Sequence, residues 1–136
     1  PGSAEPVDPL PRGGGESILV VDDEESIRRV IRSMLERHGY RVLLAGSGQE
    51  ALALHGEHRG QLALILSDWM MPGTDGGALI KAIRAADPDI GIVVMSGNIG
   101  ASTNHSSAAN LVQGVLEKPF TLGSLLRSLS QALAAR

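Results

Sequence analysis

Five polar residues follow short aliphatic runs of this sequence. They are Asp22 and Asp23 after the first run, Asp68 after the third, Ser96 after the fourth and Lys118 after the fifth. In an open α/β sheet, the loops at the carboxyl ends of the strands form the crevice in which ligands bind. If the aliphatic runs are parallel strands, these side chains converge at one edge of a sheet. That convergence indicates a functional site more strongly than any one of the residues does.

The chemistry of this set follows from its charges. Three carboxylates held close together repel one another, which costs free energy unless a cation neutralises them. Oxygen ligands without a cysteine or a neighbouring histidine favour Mg²⁺ or Mn²⁺. Beside such a metal and the Lys118 ammonium group, one of the carboxylates can attack phosphorus and form an aspartyl phosphate. Ser96 and backbone N–H groups are then available as donors to the phosphoryl oxygens.

The elements that must position these residues are visible as aliphatic runs without polar alternation, which are typical of strands buried on both faces. The runs cover residues 18–21, 42–45, 62–66, 92–95 and, more weakly, 115–116. Segments with helical spacing lie between them, at residues 27–35, 48–57, 79–83 and 122–133. Gly39 and Pro88 mark the ends of two of these helices, and Thr121 is a candidate N-cap for the last. Strands alternating with helices predict one α/β domain with helices on both faces of a five-stranded parallel sheet.

The composition of the chain limits its domain bounds, its partners and its location. Residues 1–15 contain four prolines and three consecutive glycines, so we expect a disordered linker there and the domain in residues 16–136. A net charge of −3 and only 2% aromatic residues argue against nucleic-acid binding. The chain has no cysteine and no apolar run long enough to span a membrane. We therefore expect no membrane contact and a cytoplasmic location, although a parent protein could be membrane-anchored.

Four stretches of the chain resemble the receiver domain of two-component response regulators, over about residues 17–135. They are Ile18-Leu-Val-Val-Asp-Asp-Glu-Glu25, Asp68-Trp-Met-Met-Pro-Gly-Thr-Asp-Gly76, Met95-Ser-Gly97 and Glu117-Lys-Pro-Phe120. The resemblance implies a flavodoxin-like (βα)5 fold with the strand order 2-1-3-4-5. It also implies a phosphorelay in which a histidine kinase domain carrying a phosphohistidine is the donor. The receiver would catalyse its own phosphorylation and dephosphorylation without being a kinase.

The resemblance also assigns roles to individual residues. Asp68 is implied as the phosphoacceptor and as a metal ligand. Asp23 would bind the metal directly and Asp22 largely through water, with the backbone carbonyl of Met70 as a further ligand.

The remaining assignments concern the phosphoryl group. Ser96 and Lys118 would contact phosphoryl oxygens through their side chains, and Met70 and Gly97 through their backbone N–H groups. The Lys118–Pro119 peptide bond is expected to be cis, a state that only X-Pro bonds adopt at modest cost.

One departure from the family pattern concerns signalling. Val115 stands where the family usually has an aromatic residue that swings inward on phosphorylation. We therefore expect phosphorylation to act by ordering Ser96, Gly97 and the polar segment at residues 100–110, which has few apolar side chains to pack.

Several interpretations remain open. The Gly-rich leader favours the receiver of a hybrid sensor histidine kinase, with a free-standing response regulator as the alternative and a non-phosphorylated interaction module as a further one. The order of the acidic residues argues against a haloacid-dehalogenase-type phosphatase, and acidic residues after the first strand argue against a flavodoxin. The four histidines are interpreted as surface residues. The arginines of the first helix, Arg28, Arg29, Arg32 and Arg37, are interpreted as a solvated helix face.

Overall fold

Strands and helices alternate along the chain in the structure, a computed structural model that describes residues 10–71, 74–97 and 111–135, with only the backbone of residues 70, 71 and 74–76. The long strands are β1 (Ser17–Val21), β2 (Arg41–Ala45), β3 (Leu62–Asp68), β6 (Gly91–Ser96) and β7 (Gly114–Glu117). The helices are α1 (Glu25–Arg37), α2 (Gly48–Glu57), α3 (Gly76–Ala86) and α4 (Leu122–Ala134). Two short strands, β4 (Met70–Met71) and β5 (Thr74–Asp75), form an antiparallel pair.

The five long strands form one parallel sheet in the order β2-β1-β3-β6-β7. Numbered without the short pair, this is the order 2-1-3-4-5, so the predicted fold class is confirmed. The register places Val21 opposite both Ala45 and Ser67, and Asp68 opposite Met95. The carboxyl ends of neighbouring strands therefore lie side by side at one edge.

Alternate residues of the strands pack on opposite faces of the sheet, as the pleat requires. Ile18 and Val20 belong to a core cluster with residues of α1 and α4, whereas Leu19 and Val21 belong to a second cluster with residues of α2 and α3. All residues of β3 are buried, because this central strand is covered on both faces. The aliphatic runs of the sequence are the direct consequence of this double burial.

Helix ends follow the signals in the sequence. Gly39 has a φ of +93°, and a side chain there would also collide with the backbone of Gly13, so both the turn after α1 and its packing require glycine. The Thr121 side chain accepts a hydrogen bond from the Ser124 N–H, and the two residues form a capping box at the start of α4. The predicted N-cap at Thr121 is confirmed.

The described part of the N-terminal leader lies against the domain. The Gly13 N–H donates to the His38 carbonyl at 2.7 Å and the Gly15 N–H donates to the Gly39 carbonyl at 2.8 Å. Leu10 packs against the core cluster that includes α1 and α4. The linker in residues 1–15 stays a prediction, and its first nine residues lie outside the described part of the chain.

The segment at residues 100–110, which we expect to change on phosphorylation, also lies outside the described residues. None of the helices in the part of the chain that the structure describes has the length and apolar character needed to cross a membrane.

Candidate functional site

Three carboxylates meet at the carboxyl edge of the sheet. Asp22, Asp23 and Asp68 each place one oxygen atom within 4.8 Å of the other two. β1 delivers the first two residues and β3 delivers the third, because these strands are neighbours in register. Asp22 is fully buried, Asp68 is 6% exposed and Asp23 is exposed. The convergence predicted from the sequence is present.

Every polar group of Asp22 has a protein partner. Its backbone N–H donates to the Ala45 carbonyl at 3.1 Å. One carboxylate oxygen accepts from the Glu24 N–H at 2.9 Å and the other from the Lys118 ammonium at 3.1 Å. Its backbone carbonyl accepts from Arg28 at 2.6 Å. Among the described residues, no hydrogen bond reaches the Asp23 carboxylate, which is exposed.

Lys118 connects two of the carboxylates. Its ammonium nitrogen lies 3.1 Å from an Asp22 oxygen and 3.4 Å from an Asp68 oxygen. Burial by itself lowers the pKa of Lys118, but hydrogen bonds and attraction to Asp22 and Asp68 outweigh it, and the pKa is raised above its ordinary value of 10.5. Lys118 is therefore a cation at neutral pH, held beside two carboxylates.

The remaining predicted residues lie at or just beyond the carboxyl ends of β3, β6 and β7. Ser96 is the last residue of β6 and is buried, and its carbonyl accepts from the Lys118 N–H at 2.8 Å. Gly97 follows it and is exposed, with open space where a side chain would be. Met70 begins β4, two residues beyond Asp68. The Lys118–Pro119 peptide bond is cis.

The donor set fits a hard divalent cation. All three side chains offer carboxylate oxygens, which Mg²⁺ and Mn²⁺ prefer. The carboxylates outnumber the two cationic side chains that touch them or their backbone, Lys118 and Arg28, so a divalent ion would relieve the repulsion that remains. None of the described histidines competes, since His38, His55 and His58 contact other groups.

The interpretation of the histidines as surface residues is wrong for His55. His55 is only 3% exposed, and its Nε2 lies 3.3 Å from an Asp87 carboxylate oxygen. Ala51 and His55 are one helical turn apart and share the buried face of α2. The four-residue spacing from Ala51 was the signal in the sequence that could have predicted a buried His55.

The first helix needs a correction as well. Arg29 and Arg32 are exposed and pair with Glu25 and Glu36 one turn away, as a solvated face would. Arg28, in contrast, is half-buried, and its guanidinium group donates to the Asp22 carbonyl. The solvated interpretation is wrong for Arg28, because the start of α1 turns this side chain toward the end of β1.

Comparison with known proteins agrees with this geometry. The response regulator receiver domain family matches residues 18–130. The chain is 33% identical over 120 residues to the sensor kinase CckA of Brucella abortus, covering 88% of the chain but 13% of that kinase. It is 32% identical over 118 residues to the response regulator receiver protein CpdR of the same organism, covering 87% of the chain and 97% of that protein.

A solved structure shows the same fold. The response regulator TrrA from Thermotoga maritima, determined in complex with Mg²⁺-BeF, is 28% identical and superimposes with a TM-score of 0.74. The match covers 86% of this chain and 98% of that structure. The chain thus spans a small part of the sensor kinase and nearly the whole of the short relatives.

Proposed function

The chain belongs to the response regulator receiver family and is a receiver domain of a two-component system, and we propose that Asp68 is the residue that accepts the phosphoryl group. The observation that carries the proposal is the position of Asp68. It lies among two further carboxylates within 4.8 Å and 3.4 Å from the Lys118 ammonium group, at the edge where ligands of such sheets bind.

Burial separates Asp68 from the other two acids. Asp22 is fully buried and both its carboxylate oxygens already accept hydrogen bonds, so an incoming phosphorus atom cannot reach them. Asp23 is accessible but forms no ion pair with Lys118. Asp68 is buried as well, but 9% of its side-chain surface remains exposed and the Lys118 cation lies beside it.

The proposed reaction is a displacement at phosphorus. A carboxylate oxygen of Asp68 forms the new P–O bond while the P–N bond to the donor imidazole breaks and its electron pair returns to the ring nitrogen. Lys118 offsets charge on the phosphoryl oxygens, and the Ser96 hydroxyl and the N–H groups of Met70 and Gly97 donate to them. Mg²⁺, held by Asp23, Asp68 and the Met70 carbonyl, with Asp22 acting through water, would supply further neutralisation of charge.

The proposed donor is a phosphohistidine on the dimerisation or phosphotransfer domain of a histidine kinase, in the cytoplasm. The similarity to the sensor kinase CckA supports a receiver within a hybrid histidine kinase. The similarity to CpdR over nearly its whole length supports the alternative, a free-standing receiver.

A direct test uses acetyl phosphate as a small donor and intact-mass spectrometry as the readout. We expect one phosphoryl group on the parent protein in Mg²⁺ and none in EDTA or in Asp68→Asn. Asp89→Asn, which removes an exposed carboxylate after α3, is the matched control and should label like the parent. Equal labelling of Asp68→Asn would overturn the assignment, and full labelling in EDTA would overturn the metal requirement. No labelling of the parent would favour the interaction module.

A further inference from the structure

We infer that Arg28 is a positioning residue for the acidic pair, because it fixes the peptide group from which Asp23 projects. The inference rests on the proposed function of the site. The Arg28 guanidinium donates to the Asp22 carbonyl at 2.6 Å. The backbone N–H of Arg28 donates to the Glu24 carbonyl at 3.1 Å. The turn that carries both acids is thus bonded to one residue of α1 through its backbone and its side chain.

The planarity of the peptide bond gives this contact its effect. The Asp22 carbonyl and the Asp23 N–H belong to one rigid plane, so a bond that holds the carbonyl also sets the direction in which Asp23 leaves the strand. Asp22 has other anchors, at Ala45 and Lys118. Asp23 has no side-chain hydrogen bond among the described residues, so the orientation of its carboxylate depends on that plane.

The fold also leaves room for the Arg28 side chain. A Cβ atom placed on Gly46 would lie 3.2 Å from one guanidinium nitrogen and 3.5 Å from the central carbon of the group. The φ of Gly46 is not in the left-handed region, so a side chain here would be opposed only by its tight approach to the guanidinium group. The Gly46 N–H donates to a Glu50 carboxylate oxygen at 2.7 Å. This hydrogen bond fixes the Gly46 backbone next to the guanidinium group.

Charge and position make opposite predictions for Arg28. A cation beside a metal site repels Mg²⁺, so if Arg28 acted through its charge alone, its removal would tighten binding. If Arg28 orients Asp23, its removal weakens binding, and loss of an outer partner of a metal ligand typically costs tenfold or more. The sign of the change in affinity therefore distinguishes the two roles.

The test is a Mg²⁺ titration followed by the fluorescence of Trp69, the sole tryptophan of the chain and the neighbour of Asp68. We expect Arg28→Met to raise the Kd for Mg²⁺ by about tenfold and Arg28→Lys, which keeps the charge and one donor, to recover part of the affinity. Arg29→Met removes the same charge from the exposed face of α1 and should leave the Kd unchanged. Gly46→Ala, which displaces the guanidinium group, should raise the Kd by a smaller factor.

Other results of these titrations would contradict either the positioning role of Arg28 alone or the proposed function as well. A lower Kd in Arg28→Met, or a Kd equal to the parent value, overturns the positioning role while the proposed function stands. A parent protein that binds no Mg²⁺ overturns the proposed function and the inference together. If Arg28→Met does not fold, unchanged Kd values in both Arg28→Lys and Gly46→Ala would overturn the inference.

Discussion

A partly buried cation lies at each end of the sheet, and the two differ in what surrounds them. At the carboxyl edge, Lys118 contacts the carboxylates of Asp22 and Asp68. At the opposite edge, and within the described part of the chain, Arg84 at the end of α3 donates only to neutral oxygens. These are the carbonyls of Asp87, Pro88, Ile90 and Leu111 and the side-chain oxygen of Gln113, at 2.6–3.5 Å.

The pKa shifts of the two cations have opposite signs because nearby carboxylates outweigh burial at Lys118 but not at Arg84. Burial lowers the pKa of Arg84 below its ordinary value, and Asp87 and Asp89 offset only part of that effect. Attraction to carboxylates overcomes burial at Lys118, whose pKa is raised. Because Arg84 donates its hydrogen bonds to neutral oxygens of the protein, we interpret it as a structural residue of the framework. An excess of like charge in the Asp22, Asp23 and Asp68 cluster costs stability unless a cation neutralises it.

The largest expected effect comes from breaking the Arg84 contacts. Arg84→Met leaves the partly buried carbonyls of Ile90 and Leu111 without this donor, and each such loss costs about 1–3 kcal/mol. We expect the free energy of unfolding in urea to fall by roughly 2–4 kcal/mol, with the Mg²⁺ affinity of the folded protein unchanged.

Arg32→Met is the control for that measurement. It removes an exposed arginine paired one turn away, and should change stability by less than about 0.5 kcal/mol. A loss in Arg84→Met no larger than in Arg32→Met would show that the contacts at this edge are not part of the framework.

The next effect concerns the acidic cluster. Asp23→Ala should weaken Mg²⁺ binding by at least about tenfold, or 1.4 kcal/mol, because it removes a proposed direct ligand. Glu24→Ala should bind like the parent, since the Glu24 side chain makes no capping hydrogen bond and only its backbone contacts Asp22. Trp69 fluorescence reports both titrations. Identical curves for Asp23→Ala and the parent would refute the ligand assignment.

The smallest effect is a dependence on pH. Because the pKa of Lys118 is raised in the folded state, its contribution to stability is full below the ordinary value of 10.5 and is lost as pH rises through the raised value. The Tm of Lys118→Met should lie below that of the parent at pH 8, by no more than about 3 °C, and the difference should close above pH 10.5.

Comparing the two proteins at each pH removes the effect of Tyr40, whose pKa is raised by burial and by Glu16 in both. A Tm difference that is constant from pH 8 to 12 would show that Lys118 stabilises the fold by packing, as a neutral side chain would.

Local sequence patterns were sufficient to predict the helices and strands. They were not sufficient to predict the long-range contacts of His55 and Arg84. The helix expected at residues 48–57 is α2 with the same bounds. The weak run at residues 115–116 became the four-residue strand β7, because pairing with β6 supplies bonds that the short run does not indicate. His55 and Arg84 were not anticipated as anchors, since their partners Asp87 and Leu111 are 32 and 27 residues away along the chain.

The sequence by itself determined the sheet, its buried strands and the set of residues at its carboxyl edge, because side-chain types repeat with the period of the element they occupy. Only the tertiary structure decided how deeply each acid lies. Asp22 and Asp23 are neighbours in the chain, yet one is fully buried and the other exposed. Buried Asp22 is held by Lys118, which is 96 residues away along the chain, and proximity of that kind exists only once the sheet has formed.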